Sequence, residues 1–277
     1  MTSNAPTSDL DDGWVPSPFT AAGLTHTCYE KSGGGPGVVL LPELPGISPE
    51  VLGLAQHLVD NEFTVVVPSL FGVPGKAGTI LRTALVGLRV CVSREFRAFA
   101  CNARRPVADY LRALAHDLDT RTPGPGVGVI GLCFTGGFAL AAAVDDSVLA
   151  AVMSQPSVPV ALGASRRADA GVSDEELQAV VDSAQGPDHC VLGLRFSEDR
   201  MAPEERFATL HERLGDAFQH IPLDSGPNNT DGFGRRAHAV LTHELRQTPG
   251  HPALEARAQV VAFLESRLGA GTPQAGP

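Results

Sequence analysis

Cys133 stands in Gly131-Leu132-Cys133-Phe134-Thr135-Gly136-Gly137, between two apolar runs of different period: GVGVIG over residues 126–131 and FTGGFALAAAV over 134–144. The first reads as a short buried strand and the second as a buried helix. A residue on so sharp a strand-to-helix turn is pushed above the sheet edge with its backbone strained. The helix start beneath it favours negative charge, so the position suits a thiolate nucleophile. Cys28, Cys91, Cys101 and Cys190 share none of this context and are read as small buried hydrophobes.

A thiol nucleophile needs a base for its proton, and the base needs an orienting acid. Of the nine histidines, His57, His116 and His211 fall in helical segments. His26, His189 and His220 lie near strand ends, and His251 in a proline-flanked turn. His238 follows the polar loop 224–236 after the last expected strand and is the first choice of base; His243, five residues on, is the rival. Asp199 lies between the strand CVLGLRF (190–196) and the helix opened by Pro203. It is the first choice of acid, although an aspartate there also suits a helix N-terminus. Glu198 and Asp224 are lesser alternatives. The resulting chain order is nucleophile, acid, base.

These groups need a scaffold. Residues 25–31 are expected to form a strand, as are GVVLL (37–41), FTVVV (63–67), 126–131, 148–153, 190–196 and 218–223. Helices are expected over 49–61, with Ser48 as N-cap and Pro49 at the first position, and over 107–118, 173–184, 203–214 and 254–268. Strands alternating with helices imply an α/β fold, a mostly parallel central sheet with helices on both faces. Ligands then bind at the carboxyl ends of the strands. Cys133, Glu43, Asp199 and the loop before His238 all fall there. Residues 69–103 lack a clean period until Val86 and are read as a lid-like excursion; 154–171 reads as a loop. With no repeat and no second composition regime, 21–268 is expected to be one domain, with 1–20 and 269–277 loosely ordered.

Hydrophobic content of 43% and charged content of 19% over 277 residues are ordinary for a globular protein. A net charge of -10 without a basic stripe argues against nucleic acid. Five cysteines without regular spacing fit a reducing compartment. No signal peptide is read at the start. The uncharged stretch 124–144 is broken by five internal glycines and a change of period, which argues against a membrane span. A cytoplasmic location is the expectation, and the Asn228-Asn229-Thr230 sequon then carries no meaning. No metal-binding spacing is present, no cofactor is expected, and GVPGKA (72–77) reads as a turn.

Taken together, Gly131-Leu132-Cys133 with Gly136-Gly137, Glu43 after GVVLL, Asp199-Arg200-Met201-Ala202-Pro203 and Ala237-His238 resemble the dienelactone hydrolase family over roughly residues 37–268. The resemblance implies an α/β-hydrolase fold, a Cys-His-Asp triad and hydrolysis of a small ester or lactone through a thioester. It implies that Glu43 contacts the resting thiol and helps activate it, and that the backbone N–H groups of Leu44 and Phe134 form the oxyanion hole. The second of these also follows physically, because the residue after an elbow nucleophile has a free N–H aimed at a developing oxyanion. Two positions depart from the family pattern. Thr135 stands where the elbow usually has a small residue. Thr242 stands where relatives use an arginine to hold a substrate carboxylate; Arg235, Arg236, Arg89, Arg94 and Arg97 are the other cations to consider.

Two further functions compete. A glutamine amidotransferase also uses a cysteine elbow but pairs its histidine with a glutamate two residues later, where Val240 stands here. A non-catalytic or redox-sensing scaffold would use Cys133 for a small ligand or an oxidant. Retention of a base, an acid and Glu43 in order favours the hydrolase. Oligomeric state is not legible.

Overall fold

A computed structural model of the protein describes residues 5–96, 104–157, 163–184 and 190–269. Its chain opens with a hairpin of β1 (Val15–Ala21) and β2 (Leu24–Lys31), turning through Ala22 and Gly23, both at positive φ. Then follow β3 (Gly37–Leu41), α1 (Pro49–Asp60), β4 (Thr64–Pro68), α2 (Ile80–Val92), α3 (Pro106–Arg121) and β5 (Val127–Leu132). After a 3-10 turn at Cys133–Thr135 come α4 (Gly136–Ala142), β6 (Val148–Ser154), α5 (Ala164–Ala168), α6 (Asp174–Ser183) and β7 (Cys190–Phe196). The chain closes with α7 (Glu204–Leu214), β8 (Phe218–Leu223) and α8 (Pro252–Leu268).

The eight strands form one sheet in the order β1-β2-β4-β3-β5-β6-β7-β8. Only the β1–β2 and β2–β4 pairs are antiparallel; the other strands are parallel. Fully buried parallel strands explain the unbroken apolar runs, because both faces are covered. Val39 and Leu41 enter the core shared with α3, α4, α6 and α7, while Val38 and Leu40 enter the core shared with α1 and α8. Each such side chain contributes about 1.5–3 kcal/mol of burial.

The helix starts follow their local chemistry. Ser48 Oγ accepts from the Val51 N–H at 3.3 Å ahead of Pro49. Ser173 and Glu176 form a reciprocal capping box at the start of α6. None of the described helices is long and apolar enough to cross a membrane. The uncharged stretch 124–144 is divided among β5, the 3-10 turn and α4.

Two expectations about segments need correction. Residues 15–20, expected to be loosely ordered with the rest of 1–20, belong to β1, and Trp14 is buried beside Lys31. Pro16 and Pro18 hid the strand. They are tolerated because β1 is a sheet edge, where an absent N–H breaks no central ladder. Within the lid-like excursion, a helix begins at Ile80 rather than near Val86. Its period was obscured because α2 is apolar on two sides: Thr83, Gly87 and Val90 line a cavity, while Leu81, Leu85 and Leu88 are exposed. Residues 1–4, 97–103, 158–162 and 270–277, with the calls made on Arg97, Cys101 and the C-terminal tail, lie outside the described residues, as does His189.

Candidate active site

Cys133 has φ of 52°, a left-handed conformation that costs a non-glycine residue about 1–3 kcal/mol and holds only where the surroundings enforce it. The enforcement is visible. Thr135, fully buried, accepts a hydrogen bond on Oγ1 from the Leu132 N–H at 2.9 Å, and its hydroxyl lies 3.0 Å from the Leu41 carbonyl and 2.9 Å from the Leu132 carbonyl. Thr135 thus ties the turn at Cys133 to the ends of β3 and β5. Close approach is secured by the glycines. A Cβ on Gly131 would lie 2.3 Å from the Thr135 carbonyl oxygen, and one on Gly136 would lie 2.7 Å from Pro156.

Asp199 sits in the turn after β7. Its Oδ1 accepts from the Met201 N–H at 2.9 Å, and its Oδ2 lies 2.6 Å from His238 Nδ1. An ionised carboxylate can only accept, so Nδ1 carries the proton and the lone pair of a neutral ring is on Nε2. That Nε2 is buried and makes no hydrogen bond. Burial pushes the His238 pKa down. Negative charge on Cys133, the hydrogen bond to Asp199 and the Asp199 charge outweigh burial and hold it well above 6.5.

Cys133, His238, Glu43, Leu44 and Phe134 line one cavity of about 470 Å³, with Thr83, Gly87 and Val90 of α2 across from them. Asp199 lies behind His238 rather than in that cavity. Phe134, on the cavity wall, is backed by an aromatic cluster of Phe71, Phe96 and Phe138, with ring centroids of neighbouring pairs 5.7–6.4 Å apart. His243, the rival base, also lines the cavity, but its Nδ1 faces Glu50 Oε1 at 3.6 Å and its side chain is 43% exposed.

Glu43 is buried, yet no hydrogen bond joins it to Cys133. Its carboxylate accepts from Thr242 Oγ1 and, at 3.3 Å, from Gln155 Nε2. Thr242, where the resemblance led an arginine to be expected, is instead bonded to Glu43. Arg235 is paired with Glu198 at 3.1 Å, Arg236 reaches the cavity wall, and Arg89 and Arg94 are exposed away from it. Two site residues carried no signal in the sequence: Gln155, at φ of 38°, and Ser157, whose hydroxyl lies 3.2 Å from the Cys133 sulfur. Both stand in the loop after β6, where no period or spacing marks them. Among the described residues no group of three or more His, Cys, Asp or Glu could hold a metal ion.

Comparison with known proteins agrees with this architecture. A carboxymethylenebutenolidase from Rhodococcus opacus is 27% identical over 247 residues, covering 87% of this chain and 85% of that protein. A dienelactone hydrolase-like promiscuous phosphotriesterase from metagenomic libraries superposes with a TM-score of 0.60 at 14% identity, over 92% of this chain and 98% of that one. A Klebsiella pneumoniae protein regarded as a dienelactone hydrolase superposes with a TM-score of 0.57 at 16% identity, over 91% and 99% of the two chains. The model of the dienelactone hydrolase family matches residues 25–249. That span is most of the chain, and this protein belongs to the dienelactone hydrolase family and is a hydrolase of the α/β-hydrolase fold.

Proposed function

We propose that this hydrolase cleaves carboxylic ester or lactone bonds of small molecules through a triad of Cys133, His238 and Asp199 and a thioester intermediate. The observation that carries the reading is the 2.6 Å contact of Asp199 with His238 Nδ1, with the other ring nitrogen buried, unbonded and in the cavity that Cys133 lines. The raised His238 pKa supports transfer of the thiol proton to Nε2.

In the first half-reaction the Cys133 sulfur attacks the carbonyl carbon, and the carbonyl electron pair moves onto oxygen. The N–H groups of Leu44 and Phe134 would stabilise that oxyanion, a donor of this kind being worth about 3 kcal/mol. Collapse expels the alkoxide, which takes the proton from His238 Nε2. In the second half, His238 removes a proton from water as the water adds to the thioester. The thiolate then leaves and the acid is released. Asp199 keeps the ring in the working tautomer throughout. Glu43, held by Thr242 and Gln155, fits a gate or proton acceptor, since a carboxylate touching the thiolate would oppose it. Free thiols at Cys28, Cys133 and Cys190 support a reducing, cytoplasmic setting.

The test is hydrolysis of a p-nitrophenyl ester by single variants. Cys133→Ala and His238→Ala are expected to lose activity by about 10³-fold or more, with the far-ultraviolet circular dichroism unchanged, while His243→Ala stays within about threefold of wild type. Cys133→Ala losing no more than about tenfold would refute its role as nucleophile.

A further inference from the structure

The nucleophile sits just past the end of β5 and its base in the loop between β8 and α8, but the sulfur also touches a third segment. Among the described residues, the one side chain hydrogen-bonded to Cys133 is Ser157, with Oγ and Sγ 3.2 Å apart. The segment carrying Ser157 is held firmly. Its N–H donates to the Cys133 carbonyl at 2.9 Å, and the Gln155 N–H donates to the Leu194 carbonyl at 2.7 Å. The Gln155 side-chain oxygen accepts from the Val240 N–H, two residues past His238. Arg206 of α7, 3% exposed, donates to the Pro156 carbonyl at 3.1 Å and to the Asp169 carbonyl. Pro156 packs directly on Gly136 at the start of α4, with no room for a Cβ between them. A hydroxyl held by so many backbone contacts is preorganised rather than adventitious.

Its partner has a defined polarity. A thiolate can only accept, so once Cys133 has given up its proton the Ser157 hydroxyl is the donor of the pair. Among the described residues, the charged groups that share the cavity wall with the sulfur are all engaged except one. His238, after β8, is bonded to Asp199. Glu43, after β3, is bonded to Thr242 and Gln155. Further along the same wall Glu244 pairs with Arg246, and His243 faces Glu50. Arg236 reaches the wall without an ion pair to any of them. Glu43 and Glu244 would repel a thiolate, and among the described residues Ser157 carries the hydroxyl that lies within hydrogen-bond distance of the sulfur.

Resting on the proposed role of Cys133, we propose that Ser157 is a further catalytic residue, whose hydroxyl donates to the Cys133 sulfur, stabilises the thiolate before attack and receives it again when the thioester breaks. The bond weakens as the sulfur–carbon bond forms and the sulfur loses its charge. It reforms as water displaces the thiolate, so the same hydroxyl assists departure of sulfur in deacylation. No atom of Ser157 is transferred.

The test compares wild type, Ser157→Ala and Ser157→Thr by iodoacetamide alkylation of the Cys133 peptide across pH, read by mass spectrometry, and by ester hydrolysis at neutral pH. Loss of a hydrogen bond to a charged group should raise the alkylation midpoint by about one pH unit in Ser157→Ala. It should also lower kcat/KM about tenfold, mainly through kcat. Ser157→Thr, which keeps the hydroxyl, should stay near wild type in both. A midpoint that moves by less than about half a unit, or a threonine variant shifted as far as the alanine one, overturns the proposal. Alkylation needs no substrate. Failure of the hydrolase reading would show separately, as ester turnover that survives Cys133→Ala.

Discussion

At the scale of the residue, the account depends on how three side chains modify one another. His238 keeps its proton above pH 6.5 because negative charge on Cys133 and its bond to the charged Asp199 outweigh burial. Followed by NMR, its titration midpoint should fall in Cys133→Ala and in Asp199→Asn, each substitution removing one stabiliser of the imidazolium. A midpoint that stays put in both would show that the ring is governed by something else. The sign for stability follows as well. Between pH 6.5 and the raised folded value, the folded ring holds a proton that the unfolded chain has lost, so this contribution is complete below 6.5 and declines as pH rises. Cys133 and Asp199 could be singled out from the sequence because each sits just past an apolar strand, where the chain pattern itself changes, and His238 because it follows the polar loop 224–236 after the last strand. Ser157 and Gln155 could not, since a loop rich in Pro, Ser and Val has no period to read. The role of Thr242 was also hidden: it showed only as a missing arginine, and its bond to Glu43 spans 199 residues of chain.

At the scale of the element, the elbow is the part that must not relax. Thr135 replaces the small residue usual at its place and supplies bonds to β3 and β5 in return. Thr135→Val keeps the volume but removes the hydroxyl, leaving the Leu132 N–H and the Leu41 carbonyl without it. Urea unfolding should show a loss of about 1–3 kcal/mol, with kcat reduced because the Cys133 turn is no longer tied down. Stability equal to wild type would mean that the hydroxyl is incidental. Alternation between apolar strands and amphipathic helices made the central sheet and most helices legible, with ends that differ by up to three residues. Where the pattern failed there was a reason in each case. β1 carries two prolines on an edge, α2 is apolar on two sides, and α4 is only seven residues long because the expected helix spends its first turn as the 3-10 segment at Cys133–Thr135.

At the scale of the whole molecule, the sheet is held between two apolar cores, and several charged or titratable groups are carried inside with it. His57 on α1 and His220 on β8 are pushed down to about 4, chiefly by burial and further by the nearby Arg257 and Arg195. Both are neutral when folded and bind protons on unfolding below pH 6.5, so stability should fall as pH drops from 6.5 towards 4. A His57→Gln, His220→Gln double variant should show a smaller difference in Tm between pH 7 and pH 5 than wild type. An equal difference would place the acid sensitivity elsewhere. Folding also converges the carboxyl ends of β3, β5, β6, β7 and β8 on one rim, and the chemistry assigned to that rim can be caught directly. Quenching the protein during turnover of p-nitrophenyl acetate and mapping its peptides by mass spectrometry should find an acetyl group on Cys133 that accumulates before steady state and disappears as ester is exhausted. Turnover with Cys133 never acylated, or with the acyl group on another residue, would contradict the account.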